Sequence, residues 1–336
     1  MTINQTVDIV YLWVDGSDPV WRLKRRRAMA LGDSASSHDL AAYGNVEGRF
    51  RDNQELRYSL RALDQFFPDH GHVYIVTDGQ VPDWLLTGNG VTVIDHCELI
   101  PEVSLPTFDS GHIETYIHRI PNLSERFFYF NDDVFFGAPV RLSDWFWSDG
   151  VYTTWSDEPE VSDEAMRRDA TALDNACRLS IQWLTDNAQA KQDSDDPVCV
   201  VTEPYNPIFR TFAHAPRPMV KSLLFKLEAL VPELFAMSRS TVFRAWDKPT
   251  IVSDFVLRWA LQNGVAKLRD YAHLYASTGD AGESSALLQL SEKVGALHFF
   301  CINDTTDDAH PDDPRLTQVL EMLQQMLPQP SRFERI

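Results

Sequence analysis

The stretch FFYFNDDVFFGAPV, residues 127–140, sets Asn131, Asp132 and Asp133 side by side between apolar, aromatic runs. Adjacent carboxylates at a strand end offer hard oxygen ligands, which hold Mg²⁺ or Mn²⁺ and, through the ion, neutralise a diphosphate. Neighbouring residues of an extended chain face opposite sides, so one acid is expected to ligate and the other to support it, unless the chain turns here. Taken alone, the pair reads first as an acidic turn that caps the backbone after it.

Chemistry on a metal-bound diphosphate, as in an enzyme that uses a nucleotide sugar, also needs cations around the phosphates and a base for the acceptor hydroxyl. Arg57, Arg119, Arg210 and Arg244 are candidate cations, and His118 or His214 a candidate base. His214 lies in FRTFAHAPRPM, beside rigid proline backbone and ahead of an expected helix start, where N–H groups favour anions.

The elements that must carry these residues are legible in the hydrophobic pattern. VDIVYLWV, residues 7–14, is a buried strand that stops at the turn DGSDP. In RDNQELRYSLRALDQFF, Leu56, Leu60, Leu63 and Phe67 fall on one helix face, Asp52 and Glu55 form a D-x-x-E start, and Pro68 ends the helix. HVYIVTDGQ, VTVIDH and FFYFNDD follow as further strands. Strands alternating with helices predict an α/β fold with a Rossmann-like, mainly parallel sheet, whose ligands sit beyond the carboxyl ends of the strands. Residues 15–18, 77–80 and 131–133 all follow strand ends and should gather on one sheet edge. Phe135 and Phe136 should pack beneath the acidic turn.

After about Gly150 the pattern turns helical, with helices expected at 163–187, 218–230, 252–263 and 314–327, the last opened by Asp313. DNAQAKQDSDDP, residues 186–197, reads as an exposed loop. This organisation divides the chain into an α/β core at 1–155, a helical insertion with a loop at 156–205, and a part at 206–336 that completes the site.

Bulk properties narrow the function. The 336 residues are 44% hydrophobic and 11% aromatic, enough for a large core. A formal charge of -19 argues against nucleic-acid binding. No apolar run reaches the length of a membrane span, and MTINQTVD lacks the features of a secretory signal, so a cytoplasmic location is expected. Cys97, Cys177, Cys199 and Cys301 show no CxxC spacing and read as small core residues. RLKRRR, residues 22–27, reads as a basic helix face, with peripheral contact to anionic lipid at the inner membrane as a further reading.

Together and in this order, four blocks resemble the Stealth family, which includes bacterial capsular polysaccharide phosphotransferases and the catalytic subunit of animal N-acetylglucosamine-1-phosphotransferase. The first is DIVYLWVDGSDP; the second starts at RFRDNQELRYSLRAL and runs through HVYIVTDGQVPDWL and LPTFDSGHIETYIHRIPNLSERFFYFNDDVFFG; the third is FRTFAHAPRPMV with STVFRAW; the last is HFFCINDTTDD. The resemblance implies a transferase that moves a hexose 1-phosphate from a UDP-sugar, a UDP-N-acetylhexosamine or UDP-hexose, onto a glycan acceptor hydroxyl. The product is a phosphodiester, and UMP leaves.

Carried over by position, it implies nucleotide binding by Trp13, Val14, Asp15 and Gly16 and by Asp52, Asn53, Glu55 and Arg57. HIETYIHR, residues 112–119, with His118 and Arg119 in it, and Asn131 would surround the sugar and phosphate. Asp132 and Asp133 would serve Mg²⁺ or Mn²⁺, with Asp133 as direct ligand and Asn303 and Asp304 completing the shell. His214 would be the base or a covalent phosphate carrier, and Arg210 and Arg244 would stabilise the transferred phosphoryl group. The family pattern often has a second histidine where this chain has Arg217. Two rivals use the same residues: a metal-dependent glycosyltransferase that releases UDP, and a non-catalytic sugar-binding protein.

Overall fold

The computed structural model describes residues 6–31, 40–88, 90–162, 165–192, 206–279, 283–310 and 312–335. At its centre lies a sheet whose first four strands are β1 (Val7–Leu12), β2 (Val73–Thr77), β3 (Val91–Asp95) and β4 (Arg126–Asn131). All four are parallel, in the order β3-β2-β1-β4. Every residue of β1 and β2 is buried, the signature of strands covered on both faces.

Helix α1 (Pro19–Leu31) follows β1 and carries the basic run. Helix α2 (Glu55–Phe66) buries Leu56, Leu60 and Leu63, as their spacing predicts. Its start differs from the expected capping box. The N-cap is Gln54, in the left-handed region at φ 66°, while Asp52 accepts from the Gln54 N–H and Glu55 bonds back to Asn53. The two acids are thereby turned away from a cap. Short helices α3 (His96–Leu99) and α4 (Ser110–Glu114) follow β3.

Beyond β4 the chain makes a tight turn into β5 (Val134–Phe136) and a small sheet of β6 (Phe146–Trp147) and β7 (Gly150–Thr153). Phe135 and Phe136 are fully buried; Phe135 stacks on Phe300 at 4.7 Å. Helix α5 is Ala172–Gln192, so residues 165–171 are not helical and the expected loop is helical through 192; residues 163–164 and 193–197 lie outside the described residues.

The helix expected from 218 starts three residues later. Arg217–Val220 forms β8, antiparallel to β4 at the sheet edge, and α6 is Lys221–Leu230. Pro218 pairs with Phe128 at that edge, where a missing N–H leaves no ladder bond unmade. After α7 (Pro232–Ser238), a π-helical turn at Ile251–Phe255 leads into α8 (Val256–Gln262). The rest comprises β9 (Ala266–Leu268), β10 (His273–Ser277), α9 (Glu283–Lys293), β11 (Phe299–Asn303) and α10 (Pro314–Met326), whose N-cap is Asp313 as expected. β11 pairs with β10 and, antiparallel, with β5. That pairing draws the C-terminal third of the chain onto the acidic turn. No helix among the described residues is long and apolar enough to cross a membrane.

Candidate functional site

β4 ends at Asn131 and β5 begins at Val134, so Asp132 and Asp133 form the connecting turn. Both line a cleft of about 1000 Å³, counting the solvent at its mouth. β11 fixes the turn from the other side. The Ile302 N–H donates to the Asp133 carbonyl at 3.0 Å, and the Cys301 thiol donates to Asp133 Oδ2 at 3.3 Å. Asp133 Oδ1 is left buried with no hydrogen-bond partner.

Four carboxylates crowd this wall. Burial pushes the Asp133 carboxyl up to about 6, against the pull of Cys301 and Arg49. Burial and then repulsion from Asp133 and Asp52 raise Asp132 well above the carboxylate range. Glu55, 5% exposed, is raised by burial and by Asp132 and Asp52, and Asp52 rises to about 6 through burial and the nearby Asp15. An all-oxygen cluster with self-repulsion and an orphaned Asp133 oxygen fits a hard divalent cation such as Mg²⁺ or Mn²⁺.

The opposing charge comes from Arg49, Arg217 and Arg244, which all act on His214. Ser110 Oγ accepts from Arg49 Nη2 at 3.1 Å and also from Arg244 Nη2, and Arg244 Nε reaches Asp109 Oδ1 at 3.3 Å. Burial and the neighbouring Arg244 pull even Arg49 down to about 9. Arg217 is buried with Glu114 and Tyr129 as its balancing groups; Tyr129 bonds both Glu114, at 2.9 Å, and Asn131, at 2.8 Å. Burial and the three arginines push His214 down to about 3, so its imidazole is neutral, and its Nδ1 is buried without a partner. The ligand atoms of His214, Asp133 and Cys301 lie within 4.8 Å of one another.

The cleft thus brings together Trp13, Val14, Glu55, Asn131, Asp132, Asp133, His214, Arg244, Asn303 and Asp304 from the sequence expectation. Asn53 and Asp52 stand behind the wall, with Asn53 bonded to Glu55 and to Asp304. Asp15 and Gly16 shape the loop after β1: the Gln80 side chain clasps the Asp15 backbone, and the Gly16 N–H donates to the Phe50 carbonyl at 2.6 Å.

Four expected residues lie elsewhere, each engaged by a partner away from the cleft. Arg57 pairs with Glu334 at 2.6 Å. His118 is fully buried against Glu228 at 2.8 Å, and Arg119 binds the same carboxylate at 2.7 Å. Arg210 donates to the Ser156 carbonyl at 2.6 Å, while its own carbonyl accepts from Arg258. Asp304 reaches the cleft but its oxygens are occupied by Arg51, Asn53, Thr278 and Thr306. Burial would raise its carboxyl, yet those bonds bring it below the usual range, as suits a strut rather than an open ligand. Asn303 gives its amide N–H to Tyr275 at 2.8 Å, which frees its amide oxygen.

Arg49, Ser110 and Cys301 were not among the expected site residues, Glu114 was expected only as part of the stretch HIETYIHR, and Arg217 stood out only as a departure from the family pattern. Arg49 and Ser110 did lie within the second block, which was the available signal.

A family model described as Stealth protein CR2, conserved region 2, matches residues 49–154, and one described as Stealth protein CR1, conserved region 1, matches residues 6–33. The exopolysaccharide phosphotransferase SCO6023 of Streptomyces coelicolor is 34% identical over 337 residues, covering 98% of this chain and 52% of that protein. Exopolysaccharide phosphotransferase CpsY of Mycobacterium tuberculosis is 31% identical over 334 residues, or 98% of this chain and 58% of CpsY. Capsular polysaccharide phosphotransferase cps1A of Actinobacillus pleuropneumoniae is 38% identical over 196 residues, or 57% of this chain and 53% of that protein. The chain therefore spans about half the length of the curated relatives it matches. With both conserved regions in place and this likeness running through nearly all its residues, the chain belongs to the Stealth family.

Proposed function

We propose that this chain is a sugar-1-phosphate transferase: it moves a hexose 1-phosphate from a UDP-sugar onto a glycan hydroxyl, forms a phosphodiester and releases UMP. The nucleotide sugar would sit across the carboxyl ends of β1 and β4, as in a Rossmann-like nucleotide-sugar transferase. The names of the relatives support phosphotransfer. The observation that carries the reading is the neutral imidazole of His214, its Nδ1 buried without a partner, set between three arginines and Asp133.

The acceptor oxygen attacks the phosphorus next to the sugar, and its proton passes to His214. The bond between that phosphorus and the UMP oxygen breaks, so UMP leaves and the sugar C1–O bond stays intact. Burial first, and then Arg217, Arg244 and Arg49, depress His214; a diphosphate bound among the arginines would supply compensating charge and offset their part of that shift, raising the basicity of the imidazole. The same arginines stabilise negative charge on the transferred phosphoryl oxygens. Asp132 and Asp133, with the free amide oxygen of Asn303, would hold Mg²⁺ or Mn²⁺, and such an ion neutralises the diphosphate when bound. Glu55 and Asn53 brace this wall.

Phosphorus NMR of the purified protein with UDP-sugars, Mg²⁺ and glycan acceptors tests the proposal. UMP together with a new phosphodiester resonance is the expected result. UDP without that resonance would establish a glycosyltransferase instead, and no turnover with retained ligand binding would establish a binding protein.

A further inference from the structure

The acids and arginines account for only part of the cleft wall. Much of the rest is apolar: Leu12 and Val76 from the strand ends, Val14 beyond β1, and the rings of Trp21, Phe50 and Phe108. These rings pack on one another, with Trp21 edge-on to Phe108 at 5.4 Å and tilted on Phe50 at 5.2 Å. Walls of this kind suit a planar, partly apolar group.

His96, the first residue of α3, also lines the cleft and plays no part in the chemistry above. Its ring makes no hydrogen bond within the described residues, and Nδ1 is buried and unpartnered at 3.8 Å from Asp78 Oδ1. Asp78 is in turn held by Lys24 Nζ, reached from α1. Burial pushes the His96 pKa down to about 4, against the pull of Asp78, so the imidazole is neutral and carries one proton. The carboxylate beside Nδ1 favours that proton on the Nδ1 side. Nε2, left to the cleft, then presents a lone pair.

A lone pair in an apolar slot selects a planar ring with an N–H on its edge. Uracil offers one at N3. Cytosine carries a lone pair at N3, which would face that of Nε2 unless the proton left the Asp78 side. Resting on the reading that the donor is a pyrimidine nucleotide sugar, we propose that the apolar wall seats the base and that His96 Nε2 accepts the uracil N3–H, which makes His96 the residue that prefers uridine over cytidine diphosphates.

Isothermal titration calorimetry of the full chain with UDP, CDP and N3-methyl-UDP, each with Mg²⁺, tests this. UDP is expected to bind roughly tenfold tighter than either analogue, the loss typical of a buried acceptor left unpaired. In His96→Phe, UDP and CDP should come within about twofold of each other. A UDP preference that survives His96→Phe overturns the assignment, as does equal binding of UDP and N3-methyl-UDP by the unaltered protein; the latter needs no variant to fold. Equal binding of UDP and CDP overturns the assignment alone. Binding of neither overturns the donor reading and the assignment with it.

Discussion

Replacing Glu334 by glutamine tests whether Arg57 belongs to the scaffold rather than to the donor site. Glu334 is 4% exposed and takes Arg61 at 2.7 Å, Arg57 at 2.6 Å and the Ser331 N–H at 2.8 Å. It clamps the C-terminal segment onto the outer face of α2. Burial alone would raise its carboxyl, but these bonds outweigh it and bring the pKa from the ordinary 4.5 down to about 2. That difference is worth about 3 kcal/mol at neutral pH, and because the Arg57 side chain is 29% exposed, solvent screening reduces the expected loss to about 2–3 kcal/mol. For a chain of 336 residues this corresponds to a fall in Tm of roughly 3–4 °C.

The pH dependence has a definite sign. A depressed carboxylate contributes fully above the unfolded pKa near 4.5 and loses its contribution as pH falls through about 2. Urea unfolding of both proteins at pH 7, 5 and 3.5 should give the full difference at the first two and a smaller one at the third. UDP affinity at pH 7 should be unchanged. A stability difference under about 0.5 kcal/mol, or one that does not narrow in acid, would refute the electrostatic account of the clamp. A tenfold loss of UDP affinity would return Arg57 to the donor site.

Three further outcomes follow from the cleft and the loop after β1. His214→Ala should lower the rate of phosphodiester formation about a hundredfold or more while UDP affinity changes little, checked by initial rates alongside calorimetry. Asp133→Asn should stabilise the metal-free protein at pH 7.5 by up to about 3 kcal/mol, since a carboxyl raised to about 6 costs stability as pH climbs from about 4 to 6; it should also abolish any rise of Tm with Mg²⁺, both read from thermal melts with and without chelator. Gly16→Ala places a Cβ 2.4 Å from the Phe50 carbonyl oxygen and should cost about 1–3 kcal/mol in urea unfolding, an expectation that a neutral result would sink.

Strands β1, β2 and β4 were legible because a strand buried on both faces is written as a near-continuous apolar run, and each of these runs is followed by turn residues; the edge strand β3 showed through its β-branched residues. Strand β5 was not legible, since three residues carry too little pattern, and its role depends on β11, which is more than 160 positions away in the chain. The same long-range pairing hid Cys301. Within the second block the wrong arginine stood out: Arg57 lies two residues beyond Glu55 on α2, about 200° around the helix, so the two side chains cannot share the cleft. Arg49 precedes the helix, where no periodicity reports direction. His118 and Arg119 looked free because Glu228, the carboxylate that engages both, belongs to α6, more than 100 residues later.

What separates phosphoryl transfer from glycosyl transfer is where charge develops. Breaking the sugar C1–O bond builds positive charge on the ring, which a carboxylate stabilises; displacement at phosphorus spreads negative charge over the equatorial oxygens, which guanidinium groups stabilise. Around His214 the charges that matter most are those of Arg217, Arg244 and Arg49, while Asp132, Glu55 and Asp52 form a mutually repelling set. Each set is unfavourable by itself, and such arrangements concentrate where a ligand supplies the missing charge. A diphosphate relaxes the arginines, and a divalent cation relaxes the acids. On the proposed reading, His214 would face a phosphorus held by arginines, with donor and metal both in the cleft, and this charge distribution would favour attack at phosphorus over attack at C1.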